Sequence, residues 1–367
     1  MAVDVSYASF DKLESFMKDV FIKAGVPAED AAVCAEILIE SDKRGIDSHG
    51  VGRFKPIYID RIKDGIQNPV TNFEIVKDHL AAAVVDGHDG MGHVIGKKSM
   101  QLAINKAKKY GLGMVVARNS THYGIAGFYA TMAANENMIG ITGTNARPSI
   151  APTFGIDNML GTNPLTFGLP TDEDFPFVLD CATSVSQRGK IEHYNRINKT
   201  MPEGWVINRD GSSETDPAKA LAGLTHSTCA LAPLGGLGED TAGYKGYGYA
   251  TVVEILSAAL QQGQFLKALN GIDADEKVPY HLGHFFIVID INAFVEPAKF
   301  KKTTGDILRS LRASAKAPGQ ERIYTAGEKE YLAWLQRKDT GVPLNDSLKK
   351  TLKSLIDEYK LDSYQFD

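Results

Sequence analysis

Apolar residues recur at helical spacing near the start of the chain. Phe10, Leu13, Phe16, Met17, Val20 and Phe21 make one face of a helix running from Phe10 to about Ala24. Ser9 is placed to cap it, and Gly25 stands where a C-terminal cap glycine belongs. Pro27 opens a second helix toward Lys43, ended by Gly45. Further on, short apolar runs alternate with helical stretches. Ala81 to Val85, Gly113 to Ala117 and Ile139 to Thr142 read as strands, and Gly92 to Tyr110 and Ala126 to Asn135 as helices. That alternation predicts βαβ units and a largely parallel sheet, an α/β fold. Leu165 to Leu169 and Phe177 to Leu179 continue the strand signals. Tyr194 to Pro217 is polar, with turn dipeptides, and reads as a surface excursion. Tyr247 to Gln262 returns to helix, HFFIVIDI from His284 is the strongest strand signal, and the chain after Pro297 is mostly helical and charged. Two interleaved lobes are expected: a mainly helical one from residues 1–75 and 300–367, and an α/β one from 76–299.

Composition narrows the function. With 43% apolar and 23% charged residues, the 367-residue chain carries a proper core. Its net charge of -5 lacks the cationic excess that a phosphate backbone demands, so nucleic acid is not an expected partner. The three cysteines, Cys34, Cys181 and Cys229, are odd in number and far apart, which fits a reducing compartment rather than a disulfide framework. The start, MAVDVSYASFDKL, shows no secretory pattern, and no apolar run reaches the roughly 20 residues a bilayer span needs. A cytoplasmic protein without membrane contact is expected.

Familiar motifs are missing. DGMGHVIGKKS (Asp89 to Ser99) and YKGYGYAT (Tyr244 to Thr251) fail the G-x-G-x-x-G dinucleotide fingerprint, and the first also fails P-loop spacing. There is no G-x-S-x-G and no H-E-x-x-H. His281 and His284 (HLGH) lack a third ligand nearby and read as a surface pair before a strand, so no metal site is expected.

Five other stretches can carry chemistry. In Asp47-Ser48-His49-Gly50-Val51-Gly52-Arg53, a histidine titrates near neutral pH and an arginine can grip a carboxylate; a cap serine beside a surface histidine would read the same. Arg118 to Gly124 follows a strand, where open sheets place their sites, and makes His122 the best-placed general acid/base; a helix-capping histidine is the alternative. Gly143 to Pro148, with Asn145 and Arg147, and Gly161 to Pro164 suit ligand edges, though turn chemistry explains them equally. Asp180-Cys181-Ala182-Thr183-Ser184 combines a strand end with a helix start, a phosphate site or a simple cap. Leu234 to Gly248 is dense in glycine before an apolar helix, with Lys245 as a point charge for an anion, or else a flexible loop.

In order, SDKRGIDSHGVGRF, RNSTHYGIAGFYA, TNARPSIAPTFG, LGTNPLTFGLP, DCATSVSQRGKIE and LGGLGEDTAGYKGYGYATVVEILSAAL resemble the type 2 malate/L-lactate dehydrogenase family over nearly the whole chain. The resemblance implies an NAD(P) fold unrelated to the Rossmann domain, NAD favoured over NADP, and a homodimer with the site near the subunit interface. It implies hydride transfer between NAD(P)H and C2 of a small 2-oxo acid, malate/oxaloacetate first, with L-lactate, sulfolactate, ureidoglycolate or a cyclic imine acid as alternatives. His122 and His49 become the proton-transfer candidates, Ser48 stands beside the substrate, and Arg53 holds its carboxylate. Asn145, Asp180, Cys181, Ala182, Thr183, Ser184, Lys245, Gly327 and Glu328 would line the cofactor. For the second carboxylate of malate, Arg147 or Arg188 is expected. Two departures stand out. A tyrosine of some relatives would fall at Ile57, where this chain has Tyr58 one place along, and no role is assigned to it. Ala326 precedes Gly327 where others have proline. Rival readings are a non-catalytic dimer retaining the fold and a metal-dependent hydrolase using the histidines.

Overall fold

The computed structural model describes residues 6–366; the first five residues of the segment read for a leader lie outside them. Helix α1, Phe10–Lys23, buries Phe10, Leu13, Phe16, Met17, Val20 and Phe21, and its Lys12 N–H donates to Ser9 Oγ at 3.4 Å. It packs on α2, Ala28–Lys43, and on the C-terminal helix Asp346–Tyr359, whose Leu352, Leu355 and Ile356 enter the same core. A short ladder of Ser6–Ala8 with Val342–Leu344 ties the two ends of the chain together.

The central sheet has seven strands: β1 (Glu74–His79), β2 (Ala82–Asp86), β3 (Leu112–Ser120), β4 (Met138–Thr144), β5 (Leu165–Leu169), β6 (Phe177–Cys181) and β7 (Leu282–Asp290). Their order is β1-β2-β3-β7-β4-β5-β6. Only β2 and β3 pair in parallel, across helix α3 (Gly92–Tyr110); every other neighbouring pair is antiparallel. The expectation of a largely parallel sheet is therefore corrected. Helix α4 (Ala126–Asn135) does join β3 to β4 as a crossover, but β7 returns from far along the chain and inserts between them with the opposite sense. Local alternation cannot reveal a strand that arrives so late.

Helices α3 and α4 cover one face of the sheet through Ile104, Ala107, Tyr129 and Ala133. Helix α5 (Gly243–Ala258) covers the other, with Val253 against Val116 and Phe285. The segment read as a surface excursion is in part folded: Val206–Asn208 pairs with Cys229–Leu231, and Met201 and Val206 join a small core with Ile150, Leu160 and Ile191. No helix among the described residues is long and apolar enough to cross a membrane.

Candidate active site

At the end of α2 the chain doubles back over a buried carboxylate. Asp42 is 1% exposed, and its Oδ2 accepts the Val51 N–H at 2.8 Å. A Cβ at Gly50 would lie 2.1 Å from Asp42 Oδ1, so only glycine lets the loop approach this closely. Burial pushes the Asp42 carboxyl up to about 8. Outside the loop, Arg337 grips the Asp47 carboxylate and donates to the Asp42 carbonyl at 2.7 Å. The held segment presents Ser48 Oγ 2.9 Å from His49 Nδ1, and Arg53 Nε donates to Ser48 O at 2.8 Å.

Past Arg53 the helix changes pitch. Phe54–Ile59 winds as a π-helix before Asp60–Lys63 returns to α geometry. A π turn accommodates one residue more than an α turn and is common at functional sites. Tyr58 is fully buried, with its hydroxyl 2.6 Å from His122 Nδ1 and 3.0 Å from His93 Nε2. His122 itself follows the C-terminal end of β3.

The Gly124 N–H, 3.3 Å away, also faces His122 Nδ1. A backbone N–H only donates, so this network assigns the lone pair to Nδ1 and the ring proton to Nε2. Tyr58 then donates to His122 and accepts from His93. The His49 ring stacks beside that of His122, centroids 5.8 Å apart and planes 20° apart. Burial first, then the charges of His49, Arg61, His93 and Arg53, hold the His122 imidazole well below its ordinary range. Burial and Arg53 lower His49 to about 4, and burial alone lowers His93 to about 3. All three rings are neutral at neutral pH.

Beside this cluster a cavity of about 670 Å³ opens between the end of α2, the edge strand β6 and the segment 324–334. Asp180 and Gly327 both line it, with Arg44, Ile46, Val178 and Trp334. Asp180 keeps exposed surface, yet its carboxylate is crowded: Oδ2 accepts the Gly127 N–H at 2.7 Å and Oδ1 the Thr166 hydroxyl at 3.0 Å. Desolvation raises its pKa against the pull of those bonds. Gly327 has φ +87°, and a Cβ there would meet Pro176 O at 2.7 Å, so the turn lies flush against β6. Glu328 turns away from the cavity: it is 1% exposed, paired with Arg322 and Arg312, and accepts the Thr325 N–H at 3.0 Å.

The other residues read from the sequence fall as follows. Cys181 is exposed and Ala182 half-buried; Thr183 Oγ1 donates to Thr162 O and Asn163 O, and the buried Ser184 Oγ has no partner among the described residues. The Asn145 side chain accepts from Gly283 N–H and donates to Gln264 O, so it serves as an anchor between loops. Lys245 is exposed in the first turn of α5, 5.8 Å from the Tyr244 ring centroid. Arg147 is exposed beside Arg61, whose pKa its charge lowers. Arg188 is taken up by Glu192 of its own surface helix and by Thr225 at the end of the helix Pro217–Thr225. The HLGH pair is corrected. His281 is half-exposed, 2.8 Å from Asp89, whereas His284 lies buried in β7 between Ser120 and Thr144, both at 2.7 Å. The strand already begins at Leu282, which puts His284 inside the sheet.

Sequence reasoning missed Asp42, Tyr58, Arg61 and His93. Tyr58 lies in the π-helical stretch, where no regular spacing signals it, and Arg61 follows as one charge among several in Asp60–Lys63. His93 sat inside a stretch weighed only as a failed phosphate loop. Nothing local marks Asp42, because its partner is the loop that folds back over it.

Residues 8–353 match the family model described as malate/L-lactate dehydrogenase. A malate dehydrogenase of Pyrococcus horikoshii is 46% identical, over 91% of this chain and 90% of that protein. An L-sulfolactate dehydrogenase of Methanocaldococcus jannaschii is 40% identical, over 94% of each. The crystal structure of malate dehydrogenase from Entamoeba histolytica superposes with a TM-score of 0.93 at 44% identity, covering 97% of this chain and 99% of that one.

Proposed function

The chain belongs to the malate/L-lactate dehydrogenase family and is a nicotinamide-dependent 2-hydroxy acid dehydrogenase, and on that premise we propose that it interconverts malate and oxaloacetate with His122 as acid/base. The observation that carries this reading is the His122 ring held from behind by Tyr58 with the His49 ring stacked beside it.

The cavity fits a dinucleotide. Gly327 lets the 324–334 segment close against β6 to form one wall, and Asp180 supplies an acceptor for a ribose hydroxyl. Lys245, exposed on α5 outside the cavity lining and without an ion pair among the described residues, is the cation assigned to a phosphate. The bound nicotinamide supplies or accepts hydride at C2 of the substrate. Everything else falls to side chains of this chain. Arg53 keeps its two terminal nitrogens free of partners among the described residues and takes the C1 carboxylate in a bidentate grip. Ser48 Oγ orients His49 beside it. Malate oxidation uses the other tautomer of neutral His122: the ring proton moves from Nε2 to Nδ1, Tyr58 turns to accept from Nδ1, and the freed Nε2 takes the hydroxyl proton. In oxaloacetate reduction the proton travels back. Such positioned proton transfer contributes roughly 10²- to 10⁴-fold in rate.

NAD is favoured over NADP. Glu40, Asp174, Asp180 and Glu330 line the cavity, and Glu40 already engages Arg44 at 2.9 Å and Lys43 at 3.9 Å. An added phosphate would meet these carboxylates, and of the lining cations Lys43 and Arg44 are already paired with Glu40, which leaves Lys329. A homodimer also fits. Helix α5 exposes Tyr249, Val252 and Ile255 in one stripe beside an apolar groove lined by Met159, Phe265 and Leu266.

The test is cofactor oxidation followed by absorbance with oxaloacetate, pyruvate and larger 2-oxo acids, using NADH and NADPH in turn. Rapid turnover of oxaloacetate with NADH, lost in His122→Ala, is expected. Silence with oxaloacetate and turnover of another acid would overturn the substrate assignment and leave the class standing.

A further inference from the structure

Arg61 is a charge without a counter-charge. It sits on Asp60–Lys63, three residues beyond Tyr58. Its guanidinium carbon stands 4.3 Å from the centroid of the Tyr280 ring, which fixes the plane of the fork. It is half-buried, yet it makes no hydrogen bond or ion pair among the described residues. Desolvation and the neighbouring Arg147 both work against its charge. The same charge bears on His122, as does that of Arg53. Two guanidinium groups therefore bear on the proposed acid/base, and only one is needed for the C1 carboxylate. Arg147, exposed and equally without a partner among the described residues, adds a third positive charge next to Arg61.

Resting on the malate reading above, we propose that Arg61, reinforced by Arg147, receives the second anionic group of the substrate and makes the site selective for 2-oxo acids bearing two acidic groups. A dianion bridging Arg53 and Arg61 removes two unpaired charges from a desolvated pocket at once. A substrate with one carboxylate leaves Arg61 uncompensated and buried deeper by the ligand itself, and sites that leave such a group unpaired reject their ligand strongly. Carboxylate and sulfonate share the required chemistry, and the planar fork of Arg61 serves both.

The experiment compares wild-type protein with Arg61→Gln, Arg61→Lys and Arg147→Gln in kcat/KM for oxaloacetate, for its sulfonate counterpart and for pyruvate. For Arg61→Gln we expect a loss of about 100-fold with either doubly acidic substrate and less than about 3-fold with pyruvate. Arg61→Lys recovers part of that loss, and Arg147→Gln loses about 10-fold. The larger wild-type kcat/KM of the two acids identifies the natural distal group. An equal fall with pyruvate, or an unchanged oxaloacetate rate, overturns the proposal. A second measurement needs no turnover: malate raises the Tm of the wild type more than lactate does, and the difference vanishes in Arg61→Gln. Should wild-type protein fail to reduce oxaloacetate, the malate reading falls, while equal malate shifts in both proteins would sink the role of Arg61 alone.

Discussion

Tyr58 and His122 are joined by a 2.6 Å hydrogen bond between side chains 64 residues apart in sequence. The phenol is buried, and its only other hydrogen-bond partner among the described residues is His93, 3.0 Å away, so the hydroxyl has no purpose in packing that a phenylalanine would not serve as well. Its place is to fix which nitrogen of His122 carries the proton.

Tyr58→Phe keeps the ring against Phe21 and removes that control. We expect kcat to fall about 10- to 100-fold with KM for the oxo acid nearly unchanged. The unpaired His93 Nε2 costs about 1–3 kcal/mol of stability. Steady-state kinetics and a thermal melt read the two effects separately, and an unchanged kcat would remove Tyr58 from the proton path.

The pH dependence follows from the direction of the His122 shift. Malate oxidation requires the neutral ring in the free enzyme, and burial with the surrounding positive charges lowers its pKa below 6.5. Oxidative kcat/KM is therefore flat across neutral pH and falls only on the acid side of 6.5. Reductive kcat/KM climbs as pH drops toward that same limb. An oxidative limb centred above pH 7 would contradict the arrangement.

Asp42 predicts a stability effect of definite sign. Its carboxyl rises from 3.8 to about 8 on folding, so between those values the folded protein binds more protons than the unfolded chain. Its contribution is complete below about pH 4 and is lost as pH rises through 8. Asp42→Asn should melt higher than wild type at pH 8 and lose that advantage near pH 4. Equal pH slopes for the two proteins in denaturant titrations would show that the Asp42 carboxyl stays ionised.

For the proposed subunit contact, Ile255→Asp places a charge in the exposed stripe of α5, where Ile255 is 53% exposed in the isolated chain and the substitution costs the monomer little. Sedimentation should shift the protein from dimer to monomer at micromolar concentration. A dimer that persists unchanged would move the interface to another face.

The helices of the fold were legible because their cores are local. The face of α1, the whole of α3 and the whole of α4 were readable from periodicity alone. Strand positions were also readable, but strand partners were not, since β7 pairs with residues far back along the chain. At the site, His49, Arg53 and His122 were visible because each lies in a polar run next to a turn. Arg61 and Tyr58 were hidden by the change of pitch at Phe54–Ile59, which breaks the ordinary 3.6-residue spacing. His284 misled for the opposite reason: a polar residue at the head of an apolar run looks like the outside of a strand until its two hydroxyl partners are known.

The late arrival of β7 bears on how the molecule comes into being. During synthesis, β3 and β4 emerge long before residues 282–290, and each waits with an open row of backbone donors and acceptors that β7 alone will fill. Contacts this distant in sequence slow folding, and waiting strand edges invite association with other chains. A nascent chain stopped short of His281 thus has two halves of a sheet and no seam. Ribosome-bound fragments should gain protease resistance in a single late step, and cells making this protein should lean on chaperones until that strand clears the exit tunnel.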